Sequence, residues 1–219
     1  MTAGRRRRGV ALALLVAIMA LGACTTSVPG RPVRAAGKLP NVVSARELLL
    51  QDGDDTPLGP ARATPVGDNY FTSVQPSICS AALLFKNSPL RPPDARDFAD
   101  AAFQFSGPAL YAESIDVYDQ DLDTHGVVWR AFSDVSDCRD DAVGVSPSGT
   151  FQPMRVTEFD VPQDTVFHWA MGRPDWTCTY GLAALTRVVL LISACDSQPG
   201  FPMAEWAAKR KAQLNRRTA

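Results

Sequence analysis

The sequence predicts an α+β domain: an antiparallel sheet with helices packed on one face, braced by two disulfides. Three observations carry this. Four apolar segments, 150–161, 165–171, 176–185 and 188–194, follow one another with connections too short for a crossover helix, so they pair antiparallel. Segments of helical period lie before and after them. Of five cysteines, the first stands apart near the N-terminus and an even four remain, Cys79, Cys138, Cys178 and Cys195.

The elements follow in order. Ser44 and Glu47 have capping-box spacing, predicting a short helix over 44–51 that Asp52-Gly53-Asp54-Asp55 ends. A loop rich in proline and glycine runs to Asp68. Residues 77–87 have helical character, with Cys79 in the first turn. Alternation of apolar residues, Ile115 and Val117 among them, predicts strands over 98–107 and 113–118. Leu122, His125, Val128, Phe132, Val135 and Cys138 recur at spacings of three and four, predicting a helix over 121–138 with these side chains on its apolar face. After the four-strand meander, 203–216 reads as a basic helix with Trp206 on its apolar side.

The N-terminus carries an export signal. Arg5 to Arg8 precede an apolar run from Val10 to Leu21, and Leu21-Gly22-Ala23-Cys24 closes it. Residues 9–23 fall short of the roughly 20 that a bilayer core requires. This segment resembles a bacterial lipoprotein signal, which implies cleavage after Ala23, lipidation of Cys24 and stable attachment through acyl chains, each buried methylene contributing about 0.8 kcal/mol. Residues 1–23 are then a signal peptide, and 24–40, rich in Pro, Gly and Ser, a flexible tether. Residues 41–219 form the folded domain. Four of the 22 basic residues leave with the signal, so 18 face 23 acidic ones, formally −5. That balance argues against a nucleic-acid partner and leaves the lipid anchor as the membrane contact.

In an oxidising compartment the four remaining cysteines read as two disulfides, for which three connectivities exist. A hairpin centred between Thr186 and Arg187 sets Cys178 directly opposite Cys195, in a position where Cα atoms approach to about 4.5 Å. Cys79 then pairs with Cys138, a link worth about 4 kcal/mol by loop entropy. Thr-Arg is a poor type I′ turn, and a four-residue loop of the same centre keeps the pairing.

Few motifs carry chemistry. Asp119, Asp121 and Asp123 resemble the start of a calcium loop, but Thr124 and Arg130 stand where glycine and glutamate are required. An acidic helix N-terminus accounts for them. No zinc spacing, phosphate loop or Gly-x-Ser-x-Gly elbow is present, so neither a metal nor a cofactor is expected and no residue is assigned a catalytic role. His125 and His168 read as structural. Trp169, Trp176 and Tyr180 are candidates for lining a ligand groove, as is Trp206, against the ordinary role of core packing.

Trp169, Asp175-Trp176-Thr177-Cys178, Ala183-Ala184 and the run from Val188 through Ala194-Cys195 resemble the PknH-like extracellular sensor domain of mycobacteria. Pro76-Ser77-Ile78-Cys79 resembles its first cysteine, and the helix ending at Cys138 its second. The chain departs from the pattern at Val135, where an aromatic is usual, and at Thr186-Arg187, where the turn is often Asn-rich. The resemblance implies an α+β fold with two disulfides, a cleft that receives a ligand, and no established catalysis. It points to a lipid-anchored envelope protein that binds a small ligand or an envelope protein. The rivals are a scaffolding protein without a small-molecule site, and an envelope hydrolase that would need a Ser, Asp or Glu converging on His125 or His168.

Overall fold

The computed structural model describes residues 43–65, 70–105 and 107–218. Cys24, the signal expected over 1–23 and the tether expected over 24–40 lie outside the described residues. Among the described residues, no helix is long and apolar enough to cross a membrane.

The chain opens with α1 (Ala45–Leu48), where the Ser44 hydroxyl accepts from the Glu47 amide and the Glu47 carboxylate accepts from the Ser44 amide, the full capping box. Four short strands follow: β1 (Asp55–Thr56), β2 (Gly59–Pro60), β3 (Ala63–Thr64) and β4 (Ser73–Gln75). A 3₁₀ turn at Ser77–Cys79 leads into α2 (Ser80–Leu83). Two long strands, β5 (Asp97–Gln104) and β6 (Leu110–Val117), precede α3 (Thr124–Ser136). Then come β7 (Val143–Ser146), β8 (Gly149–Thr150), β9 (Arg155–Gln163), β10 (Val166–Arg173), β11 (Trp176–Leu185) and β12 (Val188–Asp196). The last element is α4 (Met203–Thr218). The expected strand over 150–161 is split: Met154 makes an isolated bridge to Ala142, and β9 begins only after Pro153.

The main sheet has seven strands in the order β3-β5-β6-β12-β11-β10-β9, all neighbours antiparallel. The β11–β12 hairpin has the expected register, Leu185 opposite Val188 and Cys178 opposite Cys195. Both disulfides follow: Cys178–Cys195 with Cα atoms 3.9 Å apart and Cys79–Cys138 at 4.6 Å. The turn has two residues, and neither Thr186 nor Arg187 adopts a positive φ. The segment after β6 grips it instead. The Thr186 carbonyl accepts from the Leu122 amide at 2.7 Å, and the Arg187 carbonyl from the Tyr118 amide at 2.9 Å. Arg187 Nε meets Asp121 Oδ1 at 2.7 Å.

The helices cover both faces of the sheet, where the sequence was read as placing them on one. Side chains alternate along each strand. Tyr180, Leu182, Val189 and Leu191 pack on one side with α2 and α3. Ala183, Leu185, Leu190 and Ile192 pack on the other with α1 and α4. Both sides are apolar in β11 and β12 because both are covered. At Gly181 a Cβ would fall 2.7 Å from Met203 Sδ, so the missing side chain lets α4 lie close against the sheet.

His125 departs from its expected place. It is exposed in the first turn of α3, its ring 5.8 Å from that of Trp129. The helix reaches the sheet only a turn later, where Val128, Ala131 and Val135 are buried.

Candidate functional site

The face of the sheet that carries α3 is filled unevenly. Over β10 and β11 the side chains are large. Trp169 is fully buried and stacks between Phe167 and Tyr180, with ring centroids 4.9 and 5.1 Å away. Its indole Nε1 donates to the Ala82 carbonyl at 2.8 Å, fixing α2 to the sheet. Over β5, β6 and β12 the side chains shrink. Ala102, Ala112, Ser193 and Tyr180 are successive cross-strand neighbours, and the next row is Gln104, Leu110, Cys195 and Cys178. Small residues there leave the sheet uncovered, and a cleft of about 690 Å³ opens above them. Its floor crosses four strands, roughly 14 Å at the usual strand spacing.

The wall comes from segments far apart in the chain. Phe71 and Phe151 meet edge to face at 5.1 Å beside the small sheet formed by β4, β7 and β8. Phe71 rests on Gly144, where a Cβ would lie 2.5 Å from its ring. Leu83 and Phe85 arrive with α2, and Lys86 Nζ lies 4.3 Å over the Tyr70 ring. The Cys178–Cys195 disulfide contributes to the floor, so the bridge that fixes the hairpin also shapes the cleft. Apolar lining with few polar groups is the ordinary composition of a small-molecule site.

Those polar groups include Asp100, Gln104, Ser193, Thr64, Lys86 and Arg173. Arg173 Nε is 2.9 Å from Asp175 Oδ1. Tyr180 donates to the Leu83 carbonyl at 3.4 Å. Burial pushes its phenol well above the usual tyrosine range, the Ser193 hydroxyl offsetting part of that, so it is a neutral donor at physiological pH. Beyond Asp100, Arg91 holds Asp116 with Nε–Oδ2 at 2.7 Å and Nη2–Oδ1 at 2.5 Å. Desolvation pulls Arg91 down, but the hydrogen bond and charge of Asp116 outweigh it and its pKa is raised.

Of the aromatic candidates, Trp176 and Tyr180 line this cleft. Trp169 lies beneath it in the core, and Trp206 is on the opposite face, donating from Nε1 to the Tyr111 hydroxyl at 2.7 Å. Tyr70, Phe71 and Phe151 were not singled out from the sequence, because isolated aromatics in loops carry no period. Neither histidine lines the cleft. His168 Nε2 is 3.9 Å from Asp160 Oδ2 across the β9–β10 pair. Among the described residues no group of three or more His, Cys, Asp or Glu side chains could hold a metal ion. The acidic run has structural partners: Asp119 pairs with Arg96, Asp121 with Arg187, and Asp123 caps α3 by accepting from the Gly126 amide.

No protein-family profile matches the chain. Proteins called LprH, classed as lipoproteins by name, from Mycobacterium tuberculosis and Mycobacterium bovis are 54% identical over 208 residues, covering 92% of this chain and 91% of theirs. The crystal structure of the extracellular domain of PknH from Mycobacterium tuberculosis superposes with a TM-score of 0.61 at 14% identity, covering 80% of this chain and 97% of that domain. The fold expected from the Trp176–Cys178 and Val188–Cys195 strands is therefore the fold present, and the chain belongs to the LprH family of mycobacterial lipoproteins.

Proposed function

We propose that this protein is an envelope lipoprotein, anchored through acylated Cys24 after loss of residues 1–23 and tethered by residues 24–40. Its domain over 41–219 faces the extracytoplasmic side and binds a ligand in the β5–β6–β12–β11 cleft without transforming it. The observation that carries this reading is the small-residue floor. Ala102, Ala112 and Ser193 leave about 690 Å³ open above four strands of the sheet. Mass spectrometry under native conditions, on protein extracted from membranes, tests the proposal. Acylation at Cys24 and a co-purifying small molecule are expected. An unacylated N-terminus overturns the anchor, and failure of the cleft to take up any apolar probe overturns the binding role.

A second reading rests on a separate observation. Trp129 and Phe159 are 42% and 43% exposed, joined through Phe132, whose ring lies 5.5 Å from Trp129 and 5.3 Å from Phe159. An exposed aromatic patch suits a protein partner. Crosslinking in intact envelope that yields one dominant partner, lost in Trp129→Ala, supports it.

A further inference from the structure

Polar atoms removed from water are almost always hydrogen-bonded, and an exception demands a cause. Among the described residues there are three such exceptions, Arg173 Nε, Asp100 Oδ1 and Ser114 Oγ, and the last two lie together. They are cross-strand partners on β5 and β6. Opposed residues of an antiparallel pair hold their Cβ atoms about 4.5–5.5 Å apart on one face. Asp100 lines the cleft on the same face as Ala102, two residues away, and Ser114 lies beneath that face, two residues from Ala112 and outside the cleft lining. Ser114 is fully buried.

The nearby guanidinium does not satisfy Asp100. Arg91 Nη1 is 4.0 Å from Asp100 Oδ1, while its Nε and Nη2 are committed to Asp116. Two carboxylates share one cation, so the corner keeps an excess of negative charge and of acceptor capacity. Beside it the floor turns apolar, through Ala102 and Ala112 to the Cys178–Cys195 disulfide, under Phe71 and Phe151.

Resting on the cleft reading above, we infer that the ligand is an amphiphile: a head that donates hydrogen bonds, seated on Asp100, with an apolar body laid across Ala102 and Ala112. Hydroxyl-bearing and ammonium heads are both donors of this sort, one neutral and one charged. At this corner both match the orphaned acceptor, and a carboxylate or phosphate head meets Asp100 as a like charge; the cleft's own cations are engaged away from it, Lys86 over the Tyr70 ring and Arg173 beside Asp175. At about 30 Å³ per water-sized group, the cleft volume accommodates on the order of 20 such groups, the size of a single-chain amphiphile.

The test uses the full chain carrying Cys24→Ser, so that no acyl chain of the protein's own competes. Octyl glucoside, octylamine and octanoate share one tail and differ in head. Calorimetric titration of each, below its micelle concentration, reads the head preference directly. Octyl glucoside, octylamine or both are expected to bind at least about tenfold tighter than octanoate, as a hydrogen bond to a charged group implies. Whichever binds tighter identifies the kind of donor. Asp100→Asn, nearly isosteric at a carboxylate oxygen without a hydrogen-bond partner, is expected to shrink that preference below about threefold. Ala112→Phe, which fills the floor, is expected to abolish binding of all three. Equal affinity for the three heads, or a preference unchanged in Asp100→Asn, overturns the head assignment and leaves the cleft reading standing. No binding of any probe to the unfilled cleft overturns both.

Discussion

Arg210 of α4 lies on Glu113 of β6 as a two-pronged pair, Nε to Oε1 at 2.8 Å and Nη2 to Oε2 at 2.9 Å, with both side chains buried. Glu113 also accepts from the Tyr111 hydroxyl at 2.7 Å and from the Leu50 amide at 3.2 Å. Arg210 Nη2 donates to the Leu48 carbonyl at 3.0 Å, so the pair binds the end of α1, strand β6 and α4 to one another. Burial pulls the Arg210 pKa down, yet the charge and hydrogen bonds of Glu113 dominate and it is raised. Arg210→Met strands a buried carboxylate and is expected to cost about 3–5 kcal/mol, whereas the double variant Glu113→Gln/Arg210→Met recovers much of that loss. Urea unfolding of the two single variants and the double variant forms a mutant cycle. Additive losses would show that the pair is not coupled.

Alkaline pH should unfold the domain for a reason seen in two tyrosines. Burial raises Tyr111 well above its ordinary value, Glu113's charge adding to the effect, and burial also raises Tyr180. A group with a raised folded pKa loses nothing while the unfolded chain keeps its proton, up to about pH 10. Above that the unfolded state ionises and the folded state does not, so each tyrosine withdraws about 1.4 kcal/mol of stability per pH unit until the folded pKa is reached. Unfolding midpoints measured between about pH 9 and pH 11 check this. Tyr180→Phe should make the decline shallower, at a cost near pH 7 of about 0.5–1.5 kcal/mol for the bond to the Leu83 carbonyl. A decline just as steep in that variant removes Tyr180 as a cause.

The two disulfides differ in what they close. Cys79–Cys138 spans 59 positions and Cys178–Cys195 spans 17. Loop entropy gives about 4 and about 3 kcal/mol respectively. The second joins strands that are already neighbours in a nine-pair ladder, so replacing its cysteines by alanine should leave the register intact and alter the cleft floor more than the fold. Replacing Cys79 and Cys138 detaches the α2 region from the end of α3, and melting should fall further. The reverse order of stabilities would contradict the loop argument.

The hairpin was legible because its information is local: two apolar runs of matched length, a turn at Thr186-Arg187, and cysteines equidistant from it. The capping box at Ser44 and Glu47 is local too. Helices on both faces had a signal that periodicity alone does not weigh. The run from Val188 to Ala194 is apolar at nearly every position, the mark of a strand covered on two sides. The conformation of that turn is not written in its own two residues, because Leu122 and Tyr118, distant in sequence, hold its carbonyls. The cleft was least legible of all. Alanine at positions 102 and 112 says nothing by itself, and a cavity exists only where small residues on two strands meet under aromatics that separate loops deliver. Trp169, conspicuous in the sequence, is core, while Asp100, inconspicuous there, lines the cleft.

Gly144 separates the cleft from the rest of the fold. It lies in β7 opposite Val74, and the Phe71 ring occupies the space where its side chain would be. Gly144→Val therefore has to move Phe71, and with it the contact to Phe151. Gly144 belongs to the small β4–β7–β8 sheet and not to the seven-stranded one, so the main ladder keeps its pairing. A stability loss of about 1–3 kcal/mol is expected, the usual cost of overpacking. Apolar probes should lose affinity by a larger factor than the same loss of stability produces in Phe71→Leu, which thins the wall without displacing it. Tryptophan fluorescence offers a direct readout, because Trp176 lines the cleft and Trp206 does not. A ligand-induced change in emission that survives Trp206→Phe and disappears in Trp176→Phe places the probe there. Unchanged probe affinity in Gly144→Val would show that Phe71 does not bound the ligand.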